Sequence, residues 1–380
     1  MRMLKFLTIT LSLIFILSVF YPVSALEIKN LGEELNVKSA VLMDAKTGTV
    51  LYSKNMNESL PPASVTKIMT LLLVFEEIES NKIKYDDVIE ISEYASSMGG
   101  SQVFLKSGEK MTVDELIKCV TVASANDAAV ALAERIAGSE KAFVALMNKK
   151  ASELGLKNTN FENATGLDND VMNHLTSAYD IAIISKELLK HSDVIKYTTI
   201  WMDTIRNGEF GLANTNKLVR YYKGITGLKT GSTDKAGFCI SASAKRENLH
   251  LIAVVMGAET SKERNKIVSE LLDFGFSNYY MYEENSEELG SVKVLRGNRT
   301  DIKIGTEGSY ILENKGNDIN REIVLNECID APIKRGEKVG SILYSVNGKK
   351  VAEQSIIALE EAKELSILEY IEIVFKSMLK

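Results

Sequence analysis

Ser64 and Lys67 lie three positions apart, and of all the residue pairs in this chain their spacing most directly suggests chemistry. Pro61–Ala63 predict an extended entry to a helix, and the largely apolar run Ile68–Phe75 predicts that this helix is buried. Positions i and i+3 share a helix face, so the Lys67 amine can lie against the Ser64 hydroxyl. Burial lowers the pKa of an ammonium group. The pattern therefore predicts a serine nucleophile that a neutral lysine activates.

The same Ser-x-x-Lys spacing also occurs elsewhere in the chain. It recurs at Ser107–Lys110 and at Ser232–Lys235, although neither of these begins a long apolar helix. Taken alone, Ser64 is also compatible with a helix N-cap that is followed by a surface lysine. Two elements further along the chain bear on this choice.

The first element is a short polar turn that contains Ser124 and Asn126. It lies between two helical patterns, Val113–Val120 and Asp127–Glu134. Such a turn can direct a hydroxyl and a carboxamide into one cleft, although by itself a helix cap is the simpler explanation.

The second element is the tripeptide Lys229-Thr230-Gly231, which comes just before the strand-like run Gly237–Ala244. The glycine allows a ligand to approach a strand backbone closely. The lysine and threonine offer a cation and a hydroxyl to a carboxylate. By itself the tripeptide is also compatible with an edge strand that carries a solubilising lysine.

Taken together and in this order, the three elements resemble the motifs of the penicillin-binding protein and serine β-lactamase superfamily. Within that superfamily the chain is most similar to the low-molecular-mass D-alanyl-D-alanine carboxypeptidases. The residues that carry the resemblance are Ala63–Thr70, Ala123–Ala129 and Gly227–Gly237. The similarity extends from Lys38 to the C-terminus, so it covers nearly all of the mature chain.

This resemblance implies a serine-type D-alanyl-D-alanine carboxypeptidase. Such an enzyme removes the terminal D-alanine of peptidoglycan stem peptides through an acyl-enzyme on Ser64, and β-lactam antibiotics acylate the same serine. The resemblance also implies that Lys67 takes the Ser64 proton. Ser124 would relay a proton to the departing D-alanine, and Asn126 would orient Lys67 or the substrate.

The resemblance further implies that Lys229, Thr230, Gly231 and Ser232 bind the substrate. Lys229 and Thr230 would hold the terminal carboxylate, and the backbone N–H groups of Ser64 and Ser232 would form an oxyanion hole. Some relatives have a histidine where this chain has Ser232. Because position 232 is expected to contribute its backbone N–H group and not its side chain, we expect this difference to alter substrate preference more than catalytic competence.

Two arginines and three histidines complete the set of candidate residues. Arg206 and Arg264 resemble cleft or supporting arginines of the family, and a surface role is equally compatible with their context. No cofactor and no metal is implied, because His174, His191 and His250 are isolated and lack the spacing of a zinc site.

Two other functions are compatible with the same fold. One is a β-lactamase, which in class A deacylates with a loop glutamate; the chain offers Glu162 in that region but lacks the acidic-rich loop signature. The other is a catalytically silent wall-binding module. The intact Ser64, Lys67, Ser124 and Lys229 argue against such a module.

Residues 1–25 predict a secretory signal peptide, with Arg2 and Lys5 as its basic start, Leu7–Phe20 as its apolar core and Val23–Ala25 as its cleavage site. A retained membrane anchor is the alternative, although the apolar run is short for a span. Because this leader carries two basic residues and no acidic one, its removal changes the formal net charge from −6 to −8. That charge argues against nucleic acid as a partner. We therefore expect an extracytoplasmic protein.

The cysteines do not define a disulfide framework. Cys119, Cys239 and Cys328 lie far apart, and each has an apolar sequence context. Their odd number and the absence of a close pair predict buried free thiols.

The element order predicts an α+β catalytic domain over residues 26–284. Strand-like runs at Ser39–Asp44 and Leu249–Gly257 enclose a region of helical patterns that extends from Ser64 to Leu189. This order predicts that strands from both ends of the domain share one antiparallel sheet, which helices cover. The resemblance implies a β-lactamase/transpeptidase-like fold with a five-stranded sheet.

Beyond residue 284 the chain changes character. Short alternating runs separated by Gly or Asn predict a small all-β domain over residues 285–358. Residues 359–380 predict an amphipathic helix at the outer membrane surface, with packing on the β domain as the alternative. The apolar stripe of this helix consists of Leu365, Leu368, Ile371, Phe375 and Met378.

Overall fold

The computed structural model describes residues 35–168 and 171–378, except for the side chain of Ser377. The predicted signal peptide, residues 1–25, lies outside the described residues. The chain forms two compact units that divide after Met281. Each unit has its own cluster of buried apolar side chains.

The first unit mixes strands and helices. Its strands are β1 (Ser39–Asp44), β2 (Val50–Lys54), β3 (Val88–Glu90), β4 (Lys110–Thr112), β5 (Met202–Ile205), β6 (Phe210–Ala213), β7 (Ile225–Thr233), β8 (Gly237–Arg246) and β9 (Leu249–Ala258). Its helices are α1 (Lys67–Glu79), α2 (Glu93–Ser96), α3 (Val113–Val122), α4 (Asn126–Ala137), α5 (Glu140–Glu153), α6 (Ala178–Leu188), α7 (Val194–Thr198), α8 (Leu218–Tyr221) and α9 (Ser261–Asn278).

An antiparallel sheet in the order β2-β1-β9-β8-β7 forms the centre of this unit. Strand β1 pairs with β9, so Ser39 lies opposite Met256 and Asp44 lies opposite Leu251. Every residue of β1 is buried, which requires cover on both faces of the sheet. Helices α6 and α9 both pack against β9. The predicted α+β layering, in which strands from both ends of the domain share one sheet, is confirmed.

Helix α1 lies in the core of the unit. Its residues Lys67–Phe75 are all buried, and it packs against α4, α5 and α6. A helix that is apolar nearly all round has no face suited to water, so this sequence places it inside. The start of α1 therefore buries the Lys67 side chain fully.

The entry to α1 is not extended, so that prediction was wrong. Pro62 has φ −84° and ψ −14°, and Ala63 has φ 48°. Ala63–Thr66 then form a 3-10 turn that carries Ser64 just ahead of α1. The Val65 N–H donates to the Pro62 carbonyl at 3.2 Å, and this bond closes the turn. Proline fixes φ but leaves ψ free, which is why the sequence Pro-Pro-Ala permits a compact entry.

The second unit is all-β apart from one helix in the residues that the structure describes. Its elements are β10 (Tyr279–Glu284), β11 (Glu287–Leu295), β12 (Asp301–Thr306), β13 (Ser309–Asn314), β14 (Asn320–Leu325), β15 (Cys328–Asp330), β16 (Lys338–Val346), β17 (Lys349–Ala358) and α10 (Ile367–Met378). The main sheet has the order β14-β16-β17-β12-β11-β15. The predicted small β fold is confirmed.

One of the three cysteines differs from its prediction. Cys119 and Cys239 are buried free thiols, but Cys328 is exposed. Cys328 begins β15, a three-residue strand at the edge of the main sheet, and among the described strands it pairs with β11 alone. A short edge strand has little cover, so its apolar sequence context does not bury the thiol.

The C-terminal helix is shorter than predicted, and most of its apolar side chains are exposed. Helix α10 begins at Ile367, so Leu365 lies outside it and was wrongly included in the stripe; its backbone N–H donates to the Arg296 carbonyl. Leu368 and Phe375 are 79% and 65% exposed. Packing on the β domain therefore does not cover this stripe. Among the described residues, the helices are too short or too polar to cross a membrane.

Candidate active site

The side chains of Ser64 and Lys67 meet at the start of α1. Lys67 Nζ lies 3.0 Å from Ser64 Oγ. Ser64 is partly exposed, whereas Lys67 is fully buried. The 3-10 turn places the serine at the surface of the cleft and the lysine directly behind it. This arrangement gives a substrate access to the hydroxyl and keeps water away from the amine.

Two fixed oxygen atoms also contact the Lys67 amine. Nζ donates to Asn126 Oδ1 at 2.6 Å and to the Thr165 carbonyl at 2.8 Å. The Asn126 amide cannot be reversed without loss, because its Nδ2 donates to the Gly99 carbonyl at 2.7 Å. Lys67 is therefore surrounded by two acceptors and one hydroxyl.

The surroundings of Lys67 favour a neutral amine. The pKa of Lys67 is lowered well below its usual value, first because burial disfavours the charged form and second because Lys229 is positive; the charge of Asp127 opposes these effects. A neutral amine has two N–H donors and one lone pair. Asn126 and Thr165 occupy the two donors, so the lone pair faces Ser64 Oγ. This is the geometry that a general base for Ser64 requires.

A tight loop holds the Thr165 carbonyl in place. Asn163 Oδ1 accepts from the N–H groups of Thr165 and Gly166 at 3.1 and 2.7 Å. Gly166 has φ 79°, and a Cβ there would lie 1.8 Å from the Ala63 carbonyl oxygen. Only glycine fits this approach. The loop therefore packs directly behind the turn that carries Ser64.

His174 links this loop to the Ser-x-x-Lys turn. Its Nδ1 accepts from the Glu162 N–H at 3.0 Å, so the neutral ring carries its proton on Nε2, which lies 2.7 Å from Thr66 Oγ1. Burial lowers the pKa of His174 to about 4, so the ring is neutral near pH 7. Sequence reasoning treated this histidine as isolated and missed its role. One partner, Thr66, is 108 residues away in sequence, and the other is a backbone N–H group, that of Glu162. His174 fixes the turn on one side and the loop on the other.

Ser124 lies in the turn that joins α3 to α4. It has φ 62°, and its hydroxyl is buried with no hydrogen-bond partner among the described residues. Asp127, in the first turn of α4, anchors this region. It accepts from the N–H groups of Val103 and Leu105 at 3.1 and 3.0 Å. A buried hydroxyl without a partner is able to hand a proton to a bound substrate.

The tripeptide Lys229-Thr230-Gly231 lies within β7 and comes ahead of β8, the strand that was predicted at Gly237–Ala244. The turn between β7 and β8 follows it, and Gly231 pairs with Cys239 of β8. A Cβ on Gly231 would lie 2.8 Å from the backbone nitrogen of Ser64. The sheet edge and the Ser64 turn therefore approach each other as closely as a residue without a side chain permits. Ser232 follows on the exposed side.

Lys229 is the second buried lysine of the site. Its Nζ donates to the Thr230 carbonyl at 2.8 Å, and Thr230 Oγ1 donates to Thr215 Oγ1 at 2.7 Å. The pKa of Lys229 is lowered to about 7, first by burial and then by the positive charge of Arg264. An ammonium group with so few partners is well suited to an incoming carboxylate.

The two candidate arginines lie in different places. Arg264 is buried and donates to Asn265 Oδ1 at 2.9 Å, and its charge acts on Lys229. Arg206 contacts neither Ser64 nor Lys67; it binds Glu109 through Nε at 2.6 Å. Of the two arginines, Arg264 is therefore the one whose charge acts on Lys229.

Glu162 is exposed and is held by a backbone contact. Its Oε2 accepts from the Asn173 N–H at 2.9 Å. The described hydrogen-bond partners of Lys67 include no carboxylate. The contacts of Lys67 therefore do not involve the loop glutamate that the β-lactamase alternative would use.

Comparison with known proteins points to one family. A sequence model of D-alanyl-D-alanine carboxypeptidases matches residues 26–260, and a model of the C-terminal domain of penicillin-binding protein 5 matches residues 276–364. The D-alanyl-D-alanine carboxypeptidase DacF of Bacillus subtilis (strain 168) is 47% identical over 344 residues, which is 88% of each chain. The carboxypeptidase DacA of Escherichia coli (strain K12) is 32% identical over 360 residues, which is 90% of this chain and 88% of that one.

A solved structure supports the same relationship. Penicillin binding protein 5 from Haemophilus influenzae superimposes with a TM-score of 0.76 at 32% sequence identity. The match covers 87% of this chain and 99% of that chain. The fold therefore agrees over both units and not only over the cleft.

The substitution Asn126→Asp tests the neutral state of Lys67. It puts a carboxylate oxygen where an amide oxygen now lies 2.6 Å from Nζ. An opposite charge at this distance raises a lysine pKa by roughly 1–3 units, so Lys67 should stay protonated at neutral pH and acylation by labelled penicillin should slow about tenfold or more there. Because Lys229 loses its charge as the pH rises in both proteins, the rate is compared with that of the wild type at each pH, and the deficit of Asn126→Asp should shrink as the pH rises. Asn126→Ala, which adds no charge, is the control. An unchanged pH profile in Asn126→Asp would contradict a neutral base.

Proposed function

The chain belongs to the D-alanyl-D-alanine carboxypeptidase family of serine peptidases, and we propose that Ser64 is its nucleophile and Lys67 its general base. The enzyme is a D-alanyl-D-alanine carboxypeptidase, a hydrolase of the penicillin-binding type that acts on peptidoglycan. The single observation that supports the assignment of residues is the pattern of contacts around Lys67 Nζ, two acceptors and one serine hydroxyl.

The first half of the reaction is acyl transfer. Ser64 Oγ attacks the carbonyl carbon of the penultimate D-alanine, and its proton passes to the lone pair of Lys67. The carbonyl oxygen becomes an oxyanion, which the backbone N–H groups of Ser64 and Ser232 stabilise. The close approach of Gly231 to Ser64 supports this pairing, because it brings the backbone of β7 beside the nucleophile.

The leaving group then needs a proton. The nitrogen of the terminal D-alanine must be protonated as the amide bond breaks, and the buried Ser124 hydroxyl, with no described partner, is the group we assign to this relay. Lys67 supplies the proton that it took from Ser64, and Asn126 keeps the amine in place during the transfer. Water hydrolyses the acyl-enzyme in the second half, with the same lysine as base.

Recognition of the substrate terminus falls to β7. A carboxypeptidase must detect a free carboxylate, and Lys229 with Thr230 offers a buried cation and a hydroxyl for it. Burial, and after it the charge of Arg264, keep the pKa of Lys229 low in the free enzyme, so carboxylate binding and proton uptake by Lys229 are coupled. Penicillin carries a carboxylate beside its reactive carbonyl, so it fits the same arrangement.

Labelled penicillin followed by a D-Ala-D-Ala peptide tests this assignment. We expect stable label on Ser64 alone and release of free D-alanine from the peptide. Lys67→Ala should abolish both while leaving the fold intact. Peptide mapping locates the label. Label on Ser107 or Ser232, or wild-type acylation by Lys67→Ala, would overturn the assignment of nucleophile and base.

The pH dependence of kcat/KM tests the role of Lys229. Because the pKa of Lys229 is about 7 in the free enzyme, its positive charge is present below that pH and lost above it. We therefore expect kcat/KM for a D-Ala-D-Ala peptide to fall as the pH rises through this region. Lys229→Arg keeps the charge to a higher pH and should move the alkaline limb upward. If the alkaline limb of the kcat/KM profile lies at the same pH in Lys229→Arg as in the wild type, a group other than Lys229 causes it.

We further propose that α10 holds the mature enzyme on the outer face of the cytoplasmic membrane. The exposed side chains of Leu368, Ile371, Phe375 and Met378 support this proposal. Apolar area that leaves water contributes roughly 25 cal/mol per Å², so four such side chains offer several kcal/mol of membrane affinity before ordering costs. The helix carries Glu369, Glu372 and Lys376, so this binding rests on apolar burial.

Liposome flotation tests the membrane proposal. Deletion of residues 367–380 should release active enzyme from the vesicles, and Leu368→Ser with Phe375→Ser should do the same. Glu372→Gln, on the same helix but outside the stripe, is the matched control and should still float. Equal flotation of the full and shortened chains would contradict a membrane role for this helix.

A further inference from the structure

Phe104 is held in an unusual position for a large aromatic residue. Its φ is 57°, in the left-handed region that bulky residues rarely adopt, and its side chain is 63% exposed. Both features are unfavourable, so the surrounding structure must impose them. Packing in the core does not account for such a residue.

The side chains of Asp127 and Arg206 fix the backbone around Phe104 by hydrogen bonds. Asp127 accepts from the N–H groups of Val103 and Leu105. From the other side, Arg206 donates to the carbonyls of Val103 and Phe104 at 3.0 and 3.2 Å. The peptide groups on both sides of Phe104 are therefore fixed, and the ring is directed outward.

A second aromatic ring accompanies Phe104. Phe210 lies edge-on to it with ring centroids 6.4 Å apart, and the Arg206 guanidinium lies 5.2 Å from the Phe210 centroid. Arg206 is held in turn by Glu109 at 2.6 Å. The salt bridge thus supports two neighbouring rings, Phe104 and Phe210, which we call the aromatic pair.

The aromatic pair is connected to the catalytic cleft on two sides. Asn126, which contacts Lys67, also donates its backbone N–H to the Ser101 carbonyl at 2.7 Å, and Phe104 follows three residues later. Phe210 begins β6, and Thr215 just beyond that strand accepts from Thr230 of the carboxylate site. The segments that carry the pair therefore contact Asn126 on one side of the site and Thr230 on the other.

We propose that the aromatic pair binds the acyl portion of the substrate, by contacting the methylene chain of the stem-peptide residue that precedes D-Ala-D-Ala. This inference rests on the proposed carboxypeptidase site. The terminal carboxylate is taken by Lys229 and Thr230, and the two alanine methyl groups are small. A long side chain on the preceding residue would supply the remaining apolar part of such a peptide, and methylene groups pack well on aromatic rings.

Two peptides that differ at this residue test the proposal on the mature chain. One is acetyl-(ε-acetyl-lysyl)-D-Ala-D-Ala and the other is acetyl-glycyl-D-Ala-D-Ala. Phe104→Asn is the primary variant, because asparagine tolerates a left-handed backbone and removes only the ring. Phe210→Ala is the second variant. Tyr310→Ala, an exposed aromatic of the second unit, is the control.

For Phe104→Asn and Phe210→Ala, we expect kcat/KM to fall about tenfold for the lysyl peptide and less than about twofold for the glycyl peptide, with penicillin acylation of Ser64 unchanged. The Tyr310→Ala control should resemble the wild type. An equal loss on both peptides, or no loss on either, would overturn the aromatic pair as a specificity site. If the wild type releases D-alanine from neither peptide, the result would instead count against the carboxypeptidase site.

Discussion

The catalytic site depends on how the two N–H groups of the Lys67 amine are occupied. Asn126 Oδ1 and the Thr165 carbonyl take one each, and this leaves the lone pair for Ser64. A lysine in water rotates freely and is protonated, so it offers neither a lone pair nor a direction. Burial at the start of α1 disfavours the charge, and the two acceptors set the direction of the lone pair. Both conditions must hold together for Ser64 to be activated.

The supporting structure serves this arrangement from distant parts of the chain. The loop that carries Thr165 is pressed against the Ser64 turn at Gly166 and tied to it by His174, and the Gly99 carbonyl fixes the orientation of the Asn126 amide. The second buried lysine, Lys229, adds to the effect, because two positive charges in one dry site disfavour each other. The positive charge of Arg264 acts on Lys229 in the same way, because it adds to burial in lowering the pKa of Lys229. In the mechanism that we propose, positive charge thus binds the substrate carboxylate and also keeps the base neutral.

Much of this was predictable from local sequence, and the rest was not. The helix at Ile68–Phe75 and the strand at Leu249–Gly257 followed from apolar patterns, because these segments are buried on all sides. The strand at Gly237–Ala244 was predicted and is β8, but the strand that carries Lys229, β7, was not predicted, because its Gly- and Thr-rich sequence lacks an apolar period. Thr165 contributes a backbone carbonyl, which no side-chain pattern reveals. His174 and Phe104 depend on partners far away in sequence, so their roles appear only when the chain is folded.

The protonation state of Lys67 is the most direct test of this mechanism. Carbon-13 labelling of the lysine side chains and NMR titration of the mature enzyme would follow the Lys67 Cε signal, which its loss in Lys67→Met identifies. We predict that Lys67 is neutral at pH 7 in the free enzyme and titrates far below the ordinary lysine value of about 10.4. A Lys67 signal that stays protonated through neutral pH and titrates near that ordinary value would contradict a neutral lysine base.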